Sequence, residues 1–163
     1  MDFGLFFVYL TACGAAAATG ALFPTGAWYM SLKKPAWTPP NWMFPVVWMS
    51  LYLLMAAAAA RAAVVQGAGV GLALWSVQIA FCTLWTPIFF GLKRMKAALV
   101  AMAGLWLSVT ATMVVFFTLD FWAGLLFLPY VAWVTVAGAL NVALVLMNPE
   151  EARKPVVSLT GLK

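Results

Sequence analysis

The sequence predicts an all-α polytopic membrane protein, a bundle of five transmembrane helices. Three observations carry that reading. Of the 163 residues, 66% are apolar and 8% charged, where soluble domains run near 45–50% and about 25%. The apolar residues gather into five runs, about 3–23, 42–65, 70–91, 97–118 and 121–147, each long enough to cross a hydrocarbon core ~30 Å thick. Between the later runs the links are only a few residues long, near 66–69, 93–96 and 119–120. A spanning segment must satisfy its backbone polar groups internally, so these runs are helices. Residues 1–163 are expected to form one domain, with loop 24–41 and tail 148–163 outside the lipid. The short links predict an up-down bundle in which consecutive helices are antiparallel neighbours.

The first run contains Leu10-Thr11-Ala12-Cys13, which resembles a lipoprotein cleavage box. A cleaved export signal begins with positive charge, and here only Met1 and Asp2 precede the apolar stretch, so an uncleaved first helix is expected. The next segment, 24–41, is the one long connection. Pro35, Pro39, Pro40 and Pro45 fall within eleven residues and hold the approach to helix two stiff, with Asn41 as its expected cap. Trp28, Trp37 and Trp42 suit an interfacial belt. Trp48 lies about 10 Å further along helix two and is expected to line the bundle.

In helix three, Gln78, Cys82 and Trp85 share one face. An amide in hydrocarbon needs a partner, so that face should look inward. Pro87 interrupts the hydrogen-bond ladder near the helix end. Helix four carries a stripe of small, mildly polar residues, Gly104, Ser108 and Thr112, and helix five a stripe of Tyr130, Trp133, Ala137 and Asn141. Singly, such stripes serve helix packing. Together, aromatic walls, small residues and a few amides describe a pocket for a large flat ligand.

The charges fix an orientation. With five crossings, Lys33, Lys34, Lys93, Arg94, Lys96, Arg153, Lys154 and Lys163 share one side and Arg61 stands alone on the other. The loop and C-terminus are therefore expected in the cytoplasm. Asp120 is expected in a turn, and Arg61 to snorkel from a helix end. The cations form no basic face, which argues against nucleic acid as a partner. With no histidine and two cysteines, Cys13 and Cys82, there is little support for a metal site, a His-ligated haem or a disulfide framework. No charge sits at mid-helix and no inverted repeat is visible, which argues against an ion-coupled pump.

Three stretches carry a resemblance. Trp37-Thr38-Pro39-Pro40 with Trp42, Pro45 and Trp48, the run from Gln78 through Trp85-Thr86-Pro87-Ile88-Phe89-Phe90-Gly91 to Arg94, and Trp122-Ala123-Gly124 through Pro129-Tyr130 and Trp133 to Leu140-Asn141 occur in order. They resemble the translocator protein family, also called the tryptophan-rich sensory protein, TspO/MBR or peripheral benzodiazepine receptor family. The resemblance implies five helices, often as a homodimer, and a pocket beneath the first loop that takes porphyrins and, in some members, sterols. It places Tyr29, Trp48, Trp133 and Ala137 around that pocket. Two departures stand out. Cys82 replaces the usual Asn of helix three, and 142–147 lacks the aromatic and basic residues of the proposed sterol motif.

The expected function is thus that of a membrane receptor for tetrapyrroles such as protoporphyrin or haem, acting in their sensing, trafficking or disposal and needing no cofactor. An oxidative, light-dependent porphyrin-degrading enzyme and a carrier are the alternatives, Trp48 and Trp133 being the residues an enzyme would use. The expected ligand-binding set is Tyr29, Trp37, Trp48, Gln78, Cys82, Trp85, Tyr130, Trp133, Ala137 and Asn141, with propionates toward Lys33 and Lys34. Sterol binding is expected to be weak. A homodimer is expected through the small residues Gly69, Ala73 and Ala80 of helix three.

Overall fold

A computed structural model describes residues 2–153; Lys154 and Lys163, counted above among the cytoplasmic cations, lie outside that range. The chain folds as α1 (Phe3–Leu22), α2 (Ala27–Ser31), α3 (Met43–Ala62), α4 (Gly69–Thr86), α5 (Met95–Leu119), α6 (Phe121–Met147) and α7 (Pro149–Arg153). Five helices are long and apolar enough to span a membrane: α1, α3, α4 with its extension to Gly91, α5 and α6. All five expected spans are present, with ends shifted by a few residues.

Local chemistry sets several of those ends. Asp2 caps α1 by accepting the Leu5 N–H at 3.0 Å. Pro45 sits in the first turn of α3, where a missing N–H costs no helix bond. Asn41 does not cap that helix. Trp42 holds the cap position without a side-chain bond, and the Asn41 amide instead reaches the Met30 sulfur at 3.4 Å. At the far end of α4, Pro87 lacks the N–H that would continue the ladder, and Pro87–Gly91 widens into a π turn closed by Leu92 N–H to Pro87 O at 2.8 Å.

The spans close into a ring. α1 packs on α3 and α4, α3 on α6, α6 on α5, and α5 on α4. This corrects the expectation that consecutive helices are always neighbours, because α3 and α4 barely meet. A six-residue link such as 63–68 reaches up to about 20 Å, twice the spacing of packed helices, so it does not force adjacency. Where α3 and α4 do touch, Trp75 of α4 donates its indole N–H to Met55 O of α3 at 3.3 Å. Tyr9 of α1 lies edge-on against the same indole, 4.9 Å between centroids.

Small residues set the closeness of the ring at the end away from the loop. Ala56, Ala58, Ala59, Ala60 and Ala62 of α3 are all fully buried, as expected where helices must associate by backbone approach rather than by expelling water. Gly104 of α5 seats the Phe81 ring of α4, which would lie 2.6 Å from an added Cβ, so the two helices approach closely there. The same end carries an ion pair that hydropathy does not reveal. Arg61 does not snorkel: its Nε and Nη2 donate to Asp120 Oδ1 and Oδ2 at 2.9 and 2.8 Å. Asp120 also accepts the Ala123 N–H at 2.7 Å and so caps α6. The bond from Arg61, ahead of the backbone bonds, holds the Asp120 carboxyl below the usual carboxylate range.

Candidate functional site beneath the first loop

At the other end of the ring, α2 and the loop lie across the bundle. Tyr29 of α2 points down and is 2% exposed, and burial pushes its hydroxyl pKa up. Its ring meets Phe89 and Phe90 edge-on, at 6.4 and 5.5 Å. Beneath it lies a cavity of about 20 Å³ lined by Tyr29, Phe44, Trp85, Phe89, Phe90, Ala137, Leu140, Asn141 and Leu144. Four of the expected residues, Tyr29, Trp85, Ala137 and Asn141, therefore meet on one cavity. Asn141 ties its floor together, accepting the Trp85 indole N–H at 3.2 Å and donating to Met95 O at 3.4 Å.

A second aromatic layer lies deeper. Phe44 links the two, its ring 5.7 Å from that of Trp133. Trp48 stacks on Tyr52 at 5.6 Å and stands edge-on to Tyr130 at 6.0 Å. The fully buried Tyr130 hydroxyl donates to Gln78 Oε1 at 2.9 Å. That bond is the partner expected for the helix-three amide. Cys82, also inward, lies beside the hydroxyls of Tyr52 and Tyr130. Among the described residues, two buried donors here have no partner, Gln78 Nε2 and Trp133 Nε1. Leaving a buried donor unmet costs about 1–3 kcal/mol, so both are groups that an acceptor on a ligand would satisfy.

Some expected residues stand apart. Trp37 is 52% exposed and, like Trp42, faces outward as a belt residue would. Trp28 is instead half-buried, edge-on to Phe89 at 5.6 Å. Lys33 is exposed, whereas Lys34 folds back, its Nζ 4.6 Å above the Tyr29 ring and bonded to the carbonyls of Met30 and Leu32. Phe44, Tyr52, Phe89 and Phe90 also belong to these layers and are not among the expected residues. Two signals were available: Tyr52 lies one turn beyond Trp48, and Phe89-Phe90 follow directly on the helix break at Pro87. A larger groove of about 390 Å³ between α5 and α6, lined by Leu99, Met102 and Gly138 among others, opens outward and is apolar. Its one polar pair is internally satisfied, Trp106 Nε1 donating to Thr135 Oγ1 at 2.9 Å.

A ring of five spans around an aromatic, sparsely polar interior, closed at one end by a proline-rich loop, defines a polytopic helical membrane protein. Residues 7–147 match the TspO/MBR family, and the chain belongs to that family. It is 55% identical to Protein CrtK of Rhodobacter capsulatus over 160 residues, covering 96% of this chain and 99% of that protein. Identity is 53% to the tryptophan-rich sensory protein of Cereibacter sphaeroides, covering 91% and 94%. It is 34% to the human translocator protein, covering 70% of each.

Proposed function

We propose that this protein is a membrane receptor for tetrapyrroles, protoporphyrin or haem, bound under the 24–41 loop in the service of sensing, trafficking or disposal. The observation that carries the reading is the placing of Tyr29, Trp85, Ala137 and Asn141 on one cavity, joined through Phe44 to the Trp48–Tyr130–Trp133 layer. A flat apolar macrocycle gains there by leaving water and by stacking. Its propionates lie toward Lys33 and Lys34, where the Lys34 cation already stands over the ring that caps the cavity. At about 20 Å³ the cavity is far below the roughly 300–1,000 Å³ of ligand pockets, so binding requires α2 to lift and the aromatic rings to part. By the charge rule the loop and C-terminus are cytoplasmic. The ligand is cargo rather than a required cofactor. Sterol binds weakly, since 142–147 offers neither an aromatic nor a basic residue.

Fluorescence titration of the purified protein with protoporphyrin in the dark tests the reading. Saturable quenching that weakens when Lys33 and Lys34 are both replaced by Glu at low salt supports it; no saturable binding overturns it.

A second reading, light-dependent porphyrin breakdown, is favoured by the Trp48–Tyr52–Tyr130 contacts, a run of oxidisable rings, with the indole of Trp133 against Phe44. Illumination in oxygen separates the two. With Trp48→Phe and Trp133→Phe, binding survives and loss of porphyrin absorbance slows. Loss at the parental rate leaves binding alone.

A further inference from the structure

The cavity is shut from the far end of the chain. Asn148 follows the last turn of α6, where its backbone has left the helical region at φ −129° and ψ 59°. Its side-chain amide bonds both ways to the backbone of Lys33: Oδ1 accepts the Lys33 N–H at 2.9 Å and Nδ2 donates to Lys33 O at 2.9 Å. Nδ2 also reaches Leu144 O at 2.9 Å, which anchors the amide to its own helix. One turn further on, in α7, Glu151 Oε2 accepts the Trp28 indole N–H at 3.1 Å. Both ends of α2 are thus tied to the segment that follows α6, across more than 100 residues of sequence. Between the two ties sits Tyr29, the ring that plugs the cavity. The Asn148 bonds lie where water reaches them, so they break and re-form without stranding a buried polar group.

We propose that Asn148 and Glu151 are positioning residues for the lid, a clasp whose release admits ligand to the cavity under α2. This rests on the proposed binding beneath the loop and adds where that binding is controlled. While both ties hold, α2 keeps Tyr29 down and the space stays near 20 Å³. When they break, α2 is left to its packing and Lys33 is no longer pinned to the C-terminal end of α6. The two Asn148–Lys33 bonds alone, at the weak end of net strength because water reaches them, shift an opening equilibrium by about tenfold.

The test uses the full chain in lipid nanodiscs and reads opening in two ways, one without ligand. In an Ala137→Cys variant carrying Cys13→Ala and Cys82→Ala, the rate of labelling by a small methanethiosulfonate reports access to the cavity wall. Stopped-flow quenching reports protoporphyrin association. Adding Asn148→Ala is expected to raise labelling and association each about tenfold. Asn148→Asp, which keeps the acceptor for Lys33 N–H, should raise them less. Trp28→Phe, which removes the indole donor and keeps a ring against Phe89, should act in the same direction and serves if Asn148→Ala fails to fold. Unchanged labelling in Asn148→Ala and Trp28→Phe overturns the clasp. Faster labelling with porphyrin entering at the parental rate overturns its role in admission. If the parental chain takes up no porphyrin, the tetrapyrrole reading falls, and the labelling rates still decide whether the clasp holds the lid.

Discussion

The two ends of the bundle are held by different physics. Around Arg61, α3 presents a face of alanines with no exposure, backbones approach closely, and a two-pronged ion pair joins α3 to α6. Around Tyr29, large rings meet edge-on with a small void among them, and the cover is fastened by a few hydrogen bonds that water reaches. Small residues leave nothing to rearrange, since close packing has one solution. Rings on rotatable side chains have several arrangements of similar energy, which a binding site can use. The contrast assigns stability to one end and adaptability to the other.

The largest effect should follow from crowding the alanine end. Ala59→Leu forces four-carbon bulk into a fully buried helix contact and should cost about 3 kcal/mol, read as a lower midpoint in detergent unfolding. A loss below ~1 kcal/mol would show that this end also yields, and the contrast would fail.

Next in size, Trp85→Phe removes the indole N–H that Asn141 Oδ1 accepts at 3.2 Å. It leaves that acceptor, on a residue 1% exposed, without the indole, at about 1.5 kcal/mol. Ligand affinity should fall alongside stability, which Ala59→Leu, far from the cavity, should not cause while the protein remains folded.

Asp120→Asn should cost about 1 kcal/mol, since the pair is partly exposed and the cap is weakened rather than removed. The pH dependence sharpens the assignment. The folded pKa of Asp120 lies below its unfolded value, so its contribution is complete above about pH 4 and is lost as pH falls through the folded pKa. A thermal midpoint of the parental protein should drop in that acid window more than that of Asp120→Asn. Parallel curves would remove the ion pair from the account.

The smallest effect on stability, within ~0.5 kcal/mol, is expected of Ala73→Leu with Ala80→Leu. Both residues face outward on α4, as does Gly69, whose missing Cβ opens onto free space. If that strip holds a second copy, the pair of changes should convert dimer to monomer on sizing; an unaltered dimer moves the interface elsewhere.

Hydropathy made the spans legible because lipid leaves a helix no other way to satisfy its backbone. The inward faces of α4 and α6 were legible for a related reason: Gln78, Tyr130 and Asn141 carry polar atoms that hydrocarbon does not solvate. What remained hidden was pairing at a distance. Arg61 and Asp120 sit 59 positions apart, and each alone is an ordinary helix-end charge. The place of α1 between α3 and α4 depends on how Trp75 and the alanines share space, which no periodicity encodes. Asn41 looked like a cap because Asn favours that position, but the prolines around it put the helix start one residue later. Asn148 and Glu151 sat in a tail that showed only polarity.

Synthesis runs from the first residue to the last, and domains take shape in that order. Asn148 and Glu151 are translated after every span of the ring, so the strap cannot be fastened while the spans are still being made. On the proposed clasp, the cover is secured only once the segment that follows α6 has been made.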